Sequence, residues 1–259
     1  MGPVIEARGL THEYPDGTTA LRDVTVTIEA GERVAVIGAN GSGKSTLQLV
    51  LGGLVEPTAG TVEYFGETAD AEAVRDRLGV LLQDPDDYLF NTTVREDIEY
   101  GPAQLGMSRR AATQRVAQLA AELGLEPLLD RPPFRRAAVA SVLAFEPEVL
   151  LLDEPFGAVD ASYRERILKL VTDREGTVVL FTPSVDVVPE VADRVLVVGQ
   201  EGSIAADGPV RDVLTDTALL RDNGLRPPAT VQLFEGILDA DDVPLTVSDA
   251  RAHLLDETQ

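Results

Sequence analysis

Gly38-Ala39-Asn40-Gly41-Ser42-Gly43-Lys44-Ser45-Thr46 is the stretch from which the rest of the chain can be read. It fits G-x-x-x-x-G-K-[ST], and it stands where that pattern has physical meaning, between a strand and a helix. Before it, Arg33 to Ile37 is a short apolar run with the composition of a buried strand. After it, Lys44 to Leu51 has helical composition. Glycines let the backbone wrap closely around phosphate and turn successive amide N–H groups inward. The new helix aims its positive end at the same spot, and Lys44 adds a full charge at the β and γ phosphates. The Ser45 hydroxyl is expected to ligate Mg2+. Gly38 through Thr46 therefore form an expected cradle for the phosphates of a nucleotide.

The second half of such a site lies in Val149-Leu150-Leu151-Leu152-Asp153-Glu154-Pro155. An apolar strand ending in acids puts carboxylates at the carboxyl edge of a sheet, where α/β folds bind ligands. Asp153 is placed to hold Mg2+ through water, and Glu154 to orient or deprotonate an attacking water as the catalytic carboxylate. Around these two motifs the chain alternates strand and helix. Val24 to Ile28 has strand period and turns at Ala30-Gly31. Ser108 is an N-cap for a helix that keeps Val116, Leu119, Ala120 and Leu123 on one face and stops at Gly124. Arg135 to Phe145 reads as helix, Ala161 to Val171 as helix, Thr177 to Phe181 as strand, Val185 to Val191 as helix and Arg194 to Val198 as strand. Buried strands alternating with helices imply a largely parallel sheet covered on both faces. Beyond about residue 215 the texture changes to Arg226-Pro227-Pro228, a helix over Ala229 to Leu238, an acidic loop at Asp239 to Asp242 and a short helix from Ser248.

Composition narrows the partners. The 259 residues carry 44 Asp plus Glu against 22 Lys plus Arg, a formal charge of −22. A nucleic-acid partner needs a basic face, and an anionic lipid surface repels so acidic a protein, so neither is expected as a direct partner. Hydrophobic residues make up 44%, enough for a core. No apolar run approaches the roughly 20 residues that span a bilayer. No early stretch combines basic residues with a hydrophobic run, so no secretory signal is expected. There is no cysteine and there are two histidines, His12 and His253, which excludes disulfides, thiolate sites and multi-histidine metal centres. Of the 22 basic residues only Lys44 and Lys169 are lysines. Acid-rich, lysine-poor composition resembles that of proteins from salt-loving organisms, where concentrated salt shortens the Debye length to about 3 Å and screens self-repulsion.

With the cradle and the acidic strand end in place, the chain resembles the nucleotide-binding subunits of ABC transporters, most closely the energy-coupling-factor or cobalt-importer type. Tyr14 in Glu13-Tyr14-Pro15-Asp16-Gly17 looks like the aromatic that stacks on adenine. Gln83 looks like the Q-loop glutamine, which reaches Mg2+ and senses the membrane subunit. Asp160 in Gly157-Ala158-Val159-Asp160 looks like the D-loop. The run Asp84-Pro85-Asp86-Asp87-Tyr88-Leu89-Phe90, followed by Thr93-Val94-Arg95-Glu96-Asp97, is similar to the cobalt and vitamin group. The resemblance implies a P-loop ATPase fold: a mostly parallel sheet with flanking helices, an antiparallel β subdomain and a helical subdomain over about residues 84–145. It implies an ATP-binding domain over residues 1–215, a small appendage over 216–259, ATP and Mg2+ as cofactors, and a second ATP-binding subunit as partner. A transmembrane coupling subunit would hold the chain at the cytoplasmic face of the membrane.

Two expected features are missing. The family carries an LSGGQ-type signature before the helix that leads to the Asp153 strand, and it grips the γ-phosphate held by the opposite subunit. Here Asp130-Arg131-Pro132-Pro133-Phe134 runs directly into Arg135-Arg136-Ala137. Prolines have no N–H to donate and cannot form a glycine-like nest. The family also has a switch histidine after the strand at Thr177–Phe181, where this chain has Pro183. Losing one preorganised transition-state contact costs about 10²–10³ in rate. The expectation is retained ATP binding with impaired hydrolysis, and a heterodimer in preference to a homodimer.

Overall fold

A computed structural model describes residues 2–66, 71–83, 89, 91–157 and 159–256, with only the backbone described at 71, 135, 136 and 256. Its first half runs β1 (Pro3–Glu13), β2 (Thr19–Glu29), β3 (Arg33–Ile37), α1 (Lys44–Leu51), β4 (Ala59–Tyr64), β5 (Leu78–Leu81), α2 (Val94–Gln104) and α3 (Arg109–Leu123). Then come α4 (Arg135–Leu143), β6 (Val149–Asp153), α5 (Ala161–Asp173), β7 (Thr177–Thr182), α6 (Val188–Val191), β8 (Arg194–Val198) and β9 (Ile204–Pro209). Among the described residues four short helices follow: α7 (Val210–Thr215), α8 (Thr217–Asp222), α9 (Ala229–Phe234) and α10 (Val247–Asp256).

The six-stranded sheet has the order β5-β6-β7-β3-β8-β9, parallel except for β9, which returns antiparallel beside β8. Of its inner strands β6 and β7 are buried along their whole length and β3 and β8 are buried after a half-buried first arginine, and the pleat divides each between two cores. Val149 and Leu151 of β6 face one way and pack with Leu47 and Leu51 of α1. Leu150 and Leu152 face the other way and pack with Ile98, Leu119 and Ala140 of the helical segment. The first core is closed by the antiparallel sheet β2-β1-β4, whose inward residues include Ile5, Leu10, Leu21, Val24 and Ile28.

Helix ends follow local chemistry. Thr93 and Glu96 form a reciprocal capping box at α2, Ser108 caps α3, Gly124 terminates it, and Asp160 caps α5. Three expected helices are shorter than their composition suggested. The helix over Ala229 to Leu238 stops at Phe234, because Glu235 leaves the helical region and Gly236 sits at φ 76°. The helix over Val185 to Val191 is a 3-10 turn followed by one α-helical turn, where Pro189 occupies a position whose N–H is free anyway. The helix over Arg135 to Phe145 ends at Leu143, ahead of Glu146 at φ 56° and Pro147.

The boundary expected near residue 215 falls inside a core. Leu220 and Leu225 pack with Val210, Leu214 and Val188 against Ala35, Ile37 and Val195. Val231, Phe234, Val243 and Ala250 form a separate small cluster. Of the Asp84 to Phe90 run only Leu89 lies within the described residues, and Ala158 lies outside them.

Candidate functional site

The cradle is built where β3 ends and α1 begins. Gly43 is the N-cap of α1 at φ 102°, and a Cβ there would lie 2.3 Å from the Ala20 carbonyl oxygen. At Gly38 a Cβ would meet the Ser42 Oγ at 2.5 Å and the Val198 carbonyl at 2.6 Å. Both positions therefore exclude any side chain, and the loop closes tightly over the ends of β2 and β8. The Ser42 hydroxyl is buried beneath this loop, with no hydrogen-bond partner among the described residues. Lys44 bends back so that its Nζ donates to the carbonyls of Gly38 and Ala39, each at 2.9 Å. Burial pushes its pKa below the ordinary lysine value, and the negative charges of Asp153 and Glu154 partly oppose that shift.

Sheet register brings the acids to the same place. Ser45 Oγ donates to Asp153 Oδ2 at 2.9 Å, joining the first turn of α1 to the end of β6. Asp153 is itself buried. Leu81 of β5 pairs with Leu152 of β6, so Gln83 and Glu154, each two residues further on, leave the sheet side by side. Gln83 Nε2 donates to Glu154 Oε1 at 3.2 Å. Glu154 stands at φ 44°, an uncommon conformation for a glutamate, and its N–H donates to the Phe181 carbonyl at 2.9 Å. Tyr14 and Thr46 share a hydrogen bond of 3.0 Å between their hydroxyls, and the Tyr14 ring meets His12 edge-on at 4.8 Å.

These groups border one cleft of about 570 Å3, within the range of small-molecule sites. Tyr14, Asn40, Gly41, Gly43, Lys44, Ser45, Thr46, Gln83, Asp153 and Glu154 line it, together with Pro183. Gly38, Ala39 and Ser42 are not among the lining residues; the carbonyls of the first two hold Lys44, and the Ser42 N–H donates to the Ala39 carbonyl at 3.1 Å. Among the described residues no three His, Cys, Asp or Glu side chains cluster to hold a metal unaided. The Ser45 hydroxyl and the Asp153 carboxylate offer hard oxygens side by side, which suits Mg2+ completed by phosphate oxygens and water.

Asp160 is not brought to this cleft. Its carboxylate accepts from the Tyr163 N–H at 3.0 Å and caps α5. Helix α4 starts after Pro132-Pro133 with Phe134 at its N-cap and no side-chain cap, so neither a hydroxyl nor a glycine turn stands before it. Thr18, Thr19 and Ala20 also border the cleft, although sequence reasoning does not single them out. They arrive by the packing of β2 against Gly43, and nothing in their residue types announces it.

The sequence pattern of the ABC transporter family matches residues 21–157. The chain is 38% identical to the energy-coupling factor transporter ATP-binding protein EcfA of Methanothermobacter thermautotrophicus, over 97% of this chain and 86% of the relative. It is 39% identical to the cobalt import ATP-binding protein CbiO of Rhodobacter capsulatus, over 90% and 88% of the two chains. Among solved structures, CbiO1 of Clostridium perfringens, part of the ABC transporter complex cbiONQ, superimposes with a TM-score of 0.72 at 30% identity, covering 91% of this chain and all 100% of that one. The ATP-binding cassette MJ0796, dimeric and bound to ADP and Pi, gives a TM-score of 0.73 at 25% identity, covering 80% and 98%.

Proposed function

The chain belongs to the ABC transporter family of ATPases, and from that membership we propose that it is the ATP-binding subunit of an energy-coupling-factor-like importer for cobalt, nickel or a vitamin. The observation that carries the reading is the Ser45–Asp153 hydrogen bond, which joins cradle and acidic strand end beside Lys44 and Glu154. Names of the relatives support the importer type. Two ATP-binding subunits would close face to face on ATP and reopen after hydrolysis, moving helices of a transmembrane coupling subunit. That subunit, in place of lipid, would hold this acidic chain at the cytoplasmic face of the membrane. Among the described residues no helix is long and apolar enough to cross a membrane.

In this reading the amides from Gly41 to Thr46 bind the phosphates, and Lys44 exchanges its two backbone carbonyls for phosphate oxygens. Ser45 and Asp153, with Gln83 on the same cleft, would hold Mg2+, which would supply charge neutralisation for the phosphates. Glu154 orients the attacking water and takes its proton. Tyr14 offers a platform for adenine, and Asp160 acts through the D-loop towards the facing subunit. We divide the chain into an ATP-binding domain over residues 1–215 and an appendage over 216–259, which packs back on that domain through Leu220 and Leu225.

Pro132-Pro133 and Pro183 favour a second reading, a degenerate member of a heterodimer. The chain would then bind ATP in its own cradle, completed by the signature of a sister subunit, and turn over little alone. Steady-state phosphate release, with and without a sister ATPase and with Lys44→Ala as blank, separates the two. Turnover by the isolated chain at the rate of the complex supports the autonomous enzyme, and turnover only with the sister supports the degenerate one. The excess of acid over lysine supports a working environment of concentrated salt.

A further inference from the structure

Three polar residues of helix α1 are buried: Lys44 and Thr46, which border the cleft at its start, and Gln48, which does not. Gln48 sits among Leu47, Val50 and Leu51 and is 1% exposed. Leucine or methionine would fill such a place without a polar atom to satisfy. Instead the Gln48 amide donates both of its N–H bonds across the sheet, to the Leu81 carbonyl at 2.7 Å and the Leu151 carbonyl at 3.2 Å. Its Oε1 is buried with no hydrogen-bond partner among the described residues. An unpaired buried acceptor is costly, so the amide is stabilised here only through its two donor bonds.

Those two carbonyls are not arbitrary. Leu81 is the last residue of β5 and stands two residues before Gln83. Leu151 stands two residues before Asp153. Gln48 itself lies one helical turn beyond Lys44 and three residues beyond Ser45, on the helix that begins at the cradle. Among the described residues β5 is an edge strand whose ladder joins it to β6 alone, so Gln48 is a second tether on its end. The spacing is held short by Gly52, where a Cβ would come within 3.0 Å of Val80 Cγ2. One buried amide thus connects the helix that grips phosphate to both strands that deliver the metal-side groups.

We propose that Gln48 is a positioning residue that ties α1 to the end of β5 and so sets Gln83 against Asp153 and Glu154. The inference rests on the reading of Gln83 as a group that reaches the metal. A pull on the N-terminus of α1 by bound phosphate is passed through the amide to Leu81 and from there to Gln83.

The test uses Mn2+ as a spectroscopic stand-in for Mg2+ and reads the factor by which Mn2+ tightens ATP binding, in the full chain, in Gln48→Leu, in Gln83→Ala and in the double variant. Gln48→Leu is expected to cut that factor about tenfold, as loss of outer-shell support does at metal sites, while metal-free ATP binding stays within about twofold. The double variant is expected to lose no more than Gln83→Ala alone, since both changes act on one group. An unchanged Mn2+ factor in Gln48→Leu overturns the proposal, and if Gln83→Ala still loses the factor the reading of Gln83 stands by itself. Multiplying losses in the double variant, an equal fall in metal-free binding, or a Gln83→Ala that keeps the full factor while Gln48→Leu loses it, each overturn it as well.

Discussion

A hydroxyl 2.9 Å from a buried carboxylate is the smallest unit on which the chemistry depends. Replacing Ser45 by alanine removes a metal-side oxygen and leaves the amide cradle intact. Ser45→Ala is therefore expected to weaken ATP binding about tenfold in Mg2+ and hardly at all in EDTA, measured by equilibrium binding of labelled nucleotide. Glu154→Gln keeps the side chain's size and removes its basicity. In the complex with a sister ATPase it is expected to lower phosphate release about 10²–10⁴-fold while ATP binding persists. The meeting of these residues at one cleft was legible in the sequence because their positions follow from type and order: Lys44 and Ser45 close a glycine loop, and Asp153 and Glu154 end an apolar strand. Gln48 was not legible. A glutamine beside Leu47, Val50 and Leu51 carries no motif, and only the packing of α1 on β5 and β6 gives it partners.

Elements were read best where they repeat a simple period. β6 and β7 are continuous apolar runs, and α3 carries both its cap and its stop in the sequence. The end strands β5 and β9, by contrast, are hard to read: β5 is only four residues long, and β9 ends in Asp207, Gly208 and Pro209. The antiparallel pairing of β1 with β2 and β4 is interrupted by register shifts, which blur the alternation. The capping box of α2 was present in plain sight as Thr93-Val94-Arg95-Glu96. Thr93→Ala is expected to destabilise the chain by about 1 kcal/mol in denaturant unfolding. At the other end of the chain, Arg221 on α8 holds Glu235, after α9, at 2.7 Å. The hydrogen bond from Arg221, then that from Thr217, keeps the Glu235 carboxyl at about 2, below its ordinary 4.5. A depressed carboxylate stabilises the folded chain above its unfolded pKa and loses that contribution as pH falls through its folded one. Thermal melts of the parent should therefore fall towards those of Glu235→Gln between about pH 4.5 and about 2, the two ordinary and depressed values. Parallel melting curves across that window would contradict the pairing.

At the scale of the whole molecule, a formal charge of −22 on 259 residues sets the conditions under which everything else can be measured. Raising KCl from about 0.1 M to about 1 M shortens the Debye length from roughly 10 Å to roughly 3 Å, which quiets repulsion among surface carboxylates. The melting temperature is expected to rise over that range, and a flat or falling curve would argue against adaptation to salt. The layered architecture followed from the alternation of buried strands and helices. The packing of Leu220 and Leu225 on that sheet did not, since one apolar residue of a short helix and one of the loop after it do not announce partners on β3 and β8, far away in the chain. The most direct measurement is titration calorimetry of the intact chain with Mg·ATP in molar KCl, beside Lys44→Ala. A cradle built on Gly38 to Thr46 requires saturable uptake of about one nucleotide per chain, weakened roughly 10- to 100-fold by loss of the charged donor. No uptake by the intact chain, or equal uptake by Lys44→Ala, would contradict it.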